Sequence, residues 1–376
     1  MKIGIVCYPT FGGSGVVATE LGMALADNGH EVHFITYNQP VRLDFLSHKL
    51  HFHQVLIEEY PLFQYQPYEL ALSSKMVEVV EKHQLEVLHV HYAIPHAYAA
   101  YMAKQMLLEK GIYVKVVTTL HGTDITLVGS HPTYKTAVEF SINNSDVVTA
   151  VSNNLKQTTN QLFNINKDIK VVYNFIDVEK YNKAEDEECK RSALAKPNER
   201  ILTHISNFRS VKRVEDVIKV FYEVQKEVPS KLLMIGEGPD RAKAEILTKK
   251  LGITSKVFFL GNSTEIAKIL CYSDVFLLPS QTESFGLAAL EAMAAGTAVI
   301  STNTGGLPEV NINGETGFLS NLGDVNDMAK NAISILKNDA VLERFKQNAR
   351  IHTKKFSLEN ILPVYEDIYK SCYITK

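Results

Sequence analysis

Two glutamates separated by seven residues frame the stretch Pro279-Ser280-Gln281-Thr282-Glu283-Ser284-Phe285-Gly286-Leu287-Ala288-Ala289-Leu290-Glu291. The apolar run Val275–Leu278 precedes it and a Leu/Ala/Met-rich segment follows, so Glu283 is expected in a loop and a helix is expected to begin near Ser284 or Phe285. The amides of Phe285, Gly286 and Leu287 would then face a ligand at the helix start, as a cradle for an anion or a hydroxyl. Glu291 would lie two turns into that helix. An ionised carboxylate on so apolar a stretch is costly unless it is hydrogen-bonded, and sugar or ribose hydroxyls are suitable donors. The plainer alternative is a solvated helix glutamate.

A second group of residues carries positive charge. Asn207-Phe208-Arg209-Ser210-Val211-Lys212 follows the apolar run Arg200–Ile205. Arg209 and Lys212 are its cations, and a solvated basic loop is the plain reading of them. No Asp-x-Asp sequence occurs in the chain. Near the N-terminus, Gly12-Gly13-Ser14-Gly15 joins a buried strand to a helix, a loop type that lets backbone approach an anion. Gly13-x-Gly15-x-x-Ala18 matches a dinucleotide fingerprint, but the second strand ends in Thr36-Tyr37-Asn38-Gln39 without the acid that such a site needs for a ribose. An anion-contacting loop or a packing turn remains. His121 ends the strand Val114–Leu120 and opens His121-Gly122-Thr123-Asp124, where Asp124 would position it or cap the next segment. A satisfied buried histidine is the alternative there. His51 and His53, like His89 and His91, alternate along strands. No carboxylate cluster accompanies them, so a metal is not expected.

These residues must be positioned by elements that alternate strand and helix. Ile3–Cys7, Glu31–Thr36, Val87–Val90, Val114–Thr119 and Val147–Ala150 read as strands of one parallel sheet, with a helix over Val16–Asn28 after the first. The pattern restarts with strands at Arg200–Ile205, Leu232–Ile235, Val257–Leu260, Val275–Leu278 and Ala298–Ser301 and a helix at Val214–Glu227. A polar stretch, acidic at Glu185–Glu188, separates the two series, and Ser357–Ser371 reads as a terminal amphipathic helix. Two such α/β domains in tandem are expected to enclose a cleft, with ligands beyond the carboxyl ends of the strands.

The 376 residues suffice for two cores. A net charge of -3 with no long Lys/Arg run gives no footprint for nucleic acid. The longest uncharged run, Ala292–Pro308, is broken by glycines, so no membrane span is expected. The four cysteines, Cys7, Cys189, Cys271 and Cys372, lack metal or redox spacing. Cys7 and Cys271, in apolar runs, are expected to be reduced core residues, and the chain is expected to be cytoplasmic.

The E-x7-E stretch resembles the signature of the retaining GT-B glycosyltransferases of family GT4, and the resemblance covers nearly the whole chain. It implies an α/β fold of two doubly wound, Rossmann-like domains facing a cleft. Residues 1–170 would bind the acceptor, 171–355 the nucleotide sugar, and a C-terminal helix over 356–376 would cross back to the N-domain. By that resemblance Glu291 holds the nucleotide ribose, while Glu283, Ser284 and the backbone of Phe285, Gly286 and Leu287 address the donor sugar. Lys212 contacts the diphosphate. The family usually carries an Arg five residues earlier; Asn207 stands there, and Arg209 is a substitute. Asn262, in Leu260-Gly261-Asn262, lies where the family binds the base, and Gly15 is counted with the donor contacts. His121, Lys212 and Glu283 form the expected catalytic set, with His121 orienting the sugar rather than attacking it. Gly236-Glu237-Gly238-Pro239 and Gly305-Gly306-Leu307-Pro308-Glu309 match family loops that look structural.

Longer strings resemble one subgroup of the family, among them His89-Val90-His91-Tyr92-Ala93-Ile94-Pro95-His96 and Tyr173-Asn174-Phe175-Ile176-Asp177. That subgroup transfers N-acetylglucosamine from UDP-N-acetylglucosamine to L-malate, the first step of bacillithiol biosynthesis. The resemblance implies no cofactor and no metal, because the UDP-sugar is a substrate, and it leaves a homo-oligomer open. For a dicarboxylate acceptor, Gly13 and Ser14 would receive one carboxylate, Tyr92, Thr119 and Asn153 would donate hydrogen bonds, and Arg42 would be a charge partner. The competing readings are a GT4 enzyme with an inositol phosphate or lipid acceptor and a non-catalytic nucleotide-sugar-binding protein.

Overall fold

The computed structural model describes residues 1–10, 12–44, 47–58, 61, 63–181, 191 and 194–374. The acidic Glu185–Glu188 stretch and Cys189 lie outside the described residues. The chain divides into two units: Met1–Asn174 with Glu359–Lys376, and Phe175–Leu358.

The first unit is built on seven parallel strands: β1 (Lys2–Val6), β2 (Glu31–Thr36), β3 (Leu50–Gln54), β4 (Val87–His91), β5 (Lys115–Leu120), β6 (Val147–Ala150) and β7 (Ile169–Val171). Their order is β3-β2-β1-β4-β5-β6-β7. The register sets Ile3 beside Val32 on one side and Val87 on the other. Strand β4 is buried along its whole length, which is why it reads as a run rather than an alternation. Helix Tyr68–His83 packs Leu72, Met76, Val79 and Val80 against Val6, Ile35, Leu88 and Val90. The terminal helix, Leu358–Ile374, belongs to this unit from Glu359 onward and buries Tyr365 and Tyr369.

The second unit holds six parallel strands: β8 (Arg200–Ile205), β9 (Ser230–Ile235), β10 (Val257–Gly261), β11 (Val275–Leu278), β12 (Ala298–Thr302) and β13 (Gly317–Ser320), in the order β10-β9-β8-β11-β12-β13. Its core joins Val217, Phe221 and Val224 of helix Val214–Glu227 to Leu202, Met234 and Leu277 of the sheet.

In each sheet the strand order reverses once, between β1 and β4 and between β8 and β11. The strands diverge there, and the loops at their carboxyl ends part to leave a crevice. Those loops carry Gly12–Gly15 and Tyr92 in the first unit, and Arg209–Lys212 and Glu283 in the second.

The sequence reading omitted β7 and β13 from its strands and recognised β3 only through alternating His51 and His53. All three are edge strands and only partly buried, so no continuous apolar run marks them. The first helix spans Gly13–Asp27 rather than beginning at Val16, so the glycine loop forms its first turn. Among the described residues no helix is long and apolar enough to cross a membrane.

Candidate active site

In the second unit the β8 and β11 loops are tied together by backbone: the Gln281 amide donates to the Val211 carbonyl at 2.7 Å. This brings Lys212 Nζ to 2.5 Å from Glu283 Oε1, which also accepts from Ser280 Oγ at 2.9 Å. The two side chains are 20% and 13% exposed, so solvent screens the pair only in part. His204 lies behind the pair. It is bonded to the Leu277 carbonyl and to Ser206 Oγ at 2.8 Å each, and burial holds its pKa down to about 4.

The Glu283 backbone is fixed from the other side. The Gly306 amide donates to the Glu283 carbonyl at 2.8 Å. Gly305 adopts φ 59°, and a Cβ there would sit 2.0 Å from that same carbonyl oxygen. The Gly305-Gly306 turn therefore places Glu283. Gly305→Ala is expected to displace it, adding a left-handed backbone cost of roughly 1–2 kcal/mol. The expected outcome is a melting temperature lower by about 2–8 °C, with a raised KM for the donor. Wild-type values for both would show that the turn does not position the glutamate.

The helix after Glu283 begins later than its sequence suggests. It runs Leu287–Ala294, with Gly286 as its cap, whose carbonyl accepts from the amides of Ala289 and Leu290. The amides that precede these, at Gly286, Leu287 and Ala288, have no acceptor within the helix. Glu291 consequently lies just over one turn in, not two, and is half-buried. The Phe285 ring is buried in an edge-on contact with Phe356, so this residue has only its backbone to offer a ligand. Ser284 is half-buried, and Arg209 and Asn262 are exposed. Phe208 stands at φ 39° with a buried ring, its carbonyl accepting from the Asp240 amide at 2.9 Å. Strained backbone of this kind concentrates at functional loops.

In the first unit, Ser14 and Tyr92 share a 2.7 Å hydrogen bond across the switch point. Tyr92 is held at φ 89° by its amide, which donates to Thr119, and by its carbonyl, which accepts from Ala97. Its ring centre lies 5.2 Å from that of His121. His121 is buried, with Nε2 2.8 Å from Nδ1 of His91. Asp124 does not contact the His121 ring. Its carboxylate accepts from the backbone amides of His121, Gly122 and Ala93 at 3.3, 2.9 and 2.8 Å, fixing the loop that presents the histidine. Burial raises Asp124 to about 6, against the opposing pull of those amides. Burial also pushes His121 and His89 down to about 3 and His96 to about 4, so all are neutral near pH 7.

Several expected contacts are differently employed. Thr119 is fully buried, and its hydroxyl bonds to His89 Nε2 and Thr149 at 2.8 and 2.7 Å, so it supports the histidine row instead of facing an acceptor. Arg42 pairs with Glu20 at 2.8 Å, which already answers its charge. Gly15 is buried, and its amide donates to the Gly12 carbonyl. A Cβ there would approach the Thr10 and Tyr8 carbonyl oxygens to 2.4 and 2.6 Å, so the residue is needed for close packing. Gly13 is exposed, and Asn153 Nδ2 donates to Tyr173 at 2.9 Å. Cys271 is half-buried, unlike the buried Cys7. The alternation of His89 and His91 is visible in the sequence, but their joining with His96 and His121 in one buried row is not; among the described residues His91 Nε2 and His96 Nε2 are buried without a hydrogen-bond partner. The His-x-His spacing was the available signal.

A profile described as Glycosyltransferase Family 4 matches residues 11–180, and one described as Glycosyl transferases group 1 matches 185–352. A Bacillus anthracis protein, N-acetyl-alpha-D-glucosaminyl L-malate synthase, is 49% identical over 98% of this chain and 96% of its own. The chain is a family 4 glycosyltransferase. This transferase is also 30% identical, over 51% of its length and 46% of the relative's, to the D-inositol 3-phosphate glycosyltransferase of Rhodococcus erythropolis. Its fold matches sucrose-phosphate synthase from Thermosynechococcus elongatus at a TM-score of 0.80, with 22% identity and full coverage of both chains. An Anabaena protein solved with UDP and glucose also gives 0.80, at 18% identity, over 99% of the transferase and 100% of that chain. Both are GT-B architectures, and the transferase shares that fold.

Proposed function

We propose that this enzyme transfers N-acetylglucosamine from UDP-N-acetylglucosamine to the hydroxyl of L-malate, with retention, and releases UDP. The observation that carries the reading is the Lys212–Glu283 pair at the switch point of the second unit. The full-length similarity to a relative named for this product supports the choice of substrates. In this reading Lys212 and Arg209 neutralise the diphosphate, with no metal needed for the reaction. The diphosphate competes with Glu283 for Lys212 and so frees Glu283 to accept from sugar hydroxyls. Ser284 and the backbone from Phe285 to Leu287 complete the sugar subsite, Glu291 takes the ribose, and Asn262 lies by the base.

His121 is neutral and therefore acts as a hydrogen-bonding group on the reacting sugar, not as a proton store. Gly13, Ser14, Tyr92 and Asn153 address the acceptor carboxylates and hydroxyl. The bond from the anomeric carbon to the UDP oxygen breaks on the face where the malate hydroxyl oxygen bonds. The hydroxyl proton passes to a phosphate oxygen of the departing UDP. The buried, unpaired thiols Cys7 and Cys372 suit a cytoplasmic enzyme.

UDP release from UDP-N-acetylglucosamine is expected with L-malate and not with D-malate, inositol phosphate or a lipid. Malate failing where another acceptor works would overturn the acceptor assignment while leaving the donor chemistry standing. No release with any acceptor would sink the catalytic reading.

A further inference from the structure

A separate cluster of ionisable groups lies in the first unit, on elements other than the loops after β1, β4 and β5. His33 is on β2, and the register sets it beside His51 of β3 and Ile35 beside His53. Strand alternation puts all three histidines on one face. Helix Tyr68–His83 ends over that face, with the His83 ring centre 4.5 Å from that of His33 and 5.0 Å from that of His53. Nδ1 of His33 is 2.9 Å from Nε2 of His53. Nε2 of His33 is 3.1 Å from Glu31 Oε1.

The carboxylate settles the tautomer of His33. Glu31 only accepts, so the ring proton sits on Nε2, and the Nδ1 lone pair points towards His53 and His83. One ligand nitrogen from each of His33, His53 and His83 lies within 4.8 Å of the others. With Zn–N bonds of about 2.0–2.1 Å, a tetrahedral ion spaces its nitrogens about 3.3 Å apart, so ring movements of an ångström or so close the site. A carboxylate behind a ligating imidazole is the usual support for such a ring, orienting it and raising its basicity. Burial holds His33 and His53 at about 4 and lowers His83, so all three are neutral ligands near pH 7. His33 is buried, while His53 and His83 are half-buried and leave a route from solvent. Lys2, Lys75 and Lys82 oppose an incoming cation, and Glu31 and Glu78 offset them.

We propose that His33, His53 and His83, backed by Glu31, form a binding site for Zn2+ or a similar imidazole-preferring divalent ion, with water as the fourth ligand. The alternating His51 and His53 hinted at such a site, but no carboxylate cluster stands beside them in the sequence. Glu31, His33 and His83 reach them only through strand pairing and the helix end. A bound ion would tie edge strand β3 and the end of the helix to β2, so its main effect is on the stability of this sheet edge.

The test uses full-length, tag-free protein stripped with a chelator and titrated with Co2+, then Zn2+, at about pH 7.5, where the imidazoles are neutral. One equivalent of Co2+ is expected to give the visible bands of a tetrahedral site, Zn2+ is expected to discharge them, and Zn2+ is expected to raise the melting temperature. His53→Gln and His83→Gln, both at half-buried positions, should each abolish the bands in protein that far-UV circular dichroism shows to be folded. Glu31→Gln should weaken Zn2+ by about 10–100-fold, while His131→Gln outside the cluster changes nothing. Wild-type protein without the bands in excess Co2+, or bands that survive both His53→Gln and His83→Gln, would overturn the site.

Discussion

Lys212→Ala is expected to lower kcat by about 10²–10³-fold, the usual loss when a preorganised charge that stabilises the leaving group is removed. Lys212 Nζ stands 2.5 Å from Glu283 at the crevice of the second sheet. Without it, a carboxylate that is 13% exposed keeps, among the described residues, only Ser280 as a hydrogen-bond donor, and it faces an incoming diphosphate of its own sign. Both effects oppose turnover. Lys212→Arg should recover part of it, because the charge returns on a differently shaped group. His121→Ala should also lose most turnover, through loss of a neutral hydrogen-bonding ring. Steady-state UDP release with L-malate measures each variant, and far-UV circular dichroism checks that the fold survives. Near-normal kcat in a folded Lys212→Ala protein would remove the lysine from the mechanism.

The second large effect is on stability in acid. His89 and His121 at about 3 and His96 at about 4 are depressed by burial, and His91 between them is pushed well down. In the unfolded chain each would titrate near 6.5. Between those values the unfolded state binds more protons, so folding loses stability as pH falls below about 6.5, by roughly 1.4 kcal/mol per pH unit for each such histidine. Asp124 acts the other way. Raised to about 6, it binds a proton in the folded state first and returns one histidine's worth below that pH. Within this row the net is about three protons, on the order of 4 kcal/mol per pH unit against a domain stability of about 5–15 kcal/mol, and His33 and His53, held at about 4 in the same unit, add to the loss in the same direction. The first unit is therefore expected to lose most of its stability between about pH 6 and 4. Guanidinium unfolding followed by tyrosine circular dichroism should show a midpoint that falls steeply from about pH 7.5 to 5.5. A midpoint constant over that range would mean that these histidines are not buried as neutral groups.

Both effects depend on groups that are visible in the sequence in different degrees. Glu283 was legible because it lies in a loop just after an apolar strand, where local spacing already marks a strand end, and Lys212 was singled out by the family resemblance of its loop. The strand–helix alternation was legible for the same reason: central strands such as β4 and β11 are wholly buried and appear as unbroken apolar runs. The edge strands β7 and β13 were not, because partial exposure dilutes their pattern. Local sequence also misplaced the helix start after Glu283, since Gly286 caps it in a left-handed conformation against Leu307, a neighbour about twenty residues further on.

By itself, then, the sequence determined two α/β halves and the loops that carry a glutamate, a lysine and a histidine, because hydrophobic periodicity and glycine placement are local properties. The tertiary structure decided which of these groups meet. It paired Lys212 with Glu283, turned Thr119 and Arg42 to internal partners, and set His121 against His91. It also drew His33, His53 and His83 together across β2, β3 and a helix end. Strand order fixes such contacts, and parallel pairing joins residues far apart in the chain. No local spacing encodes that.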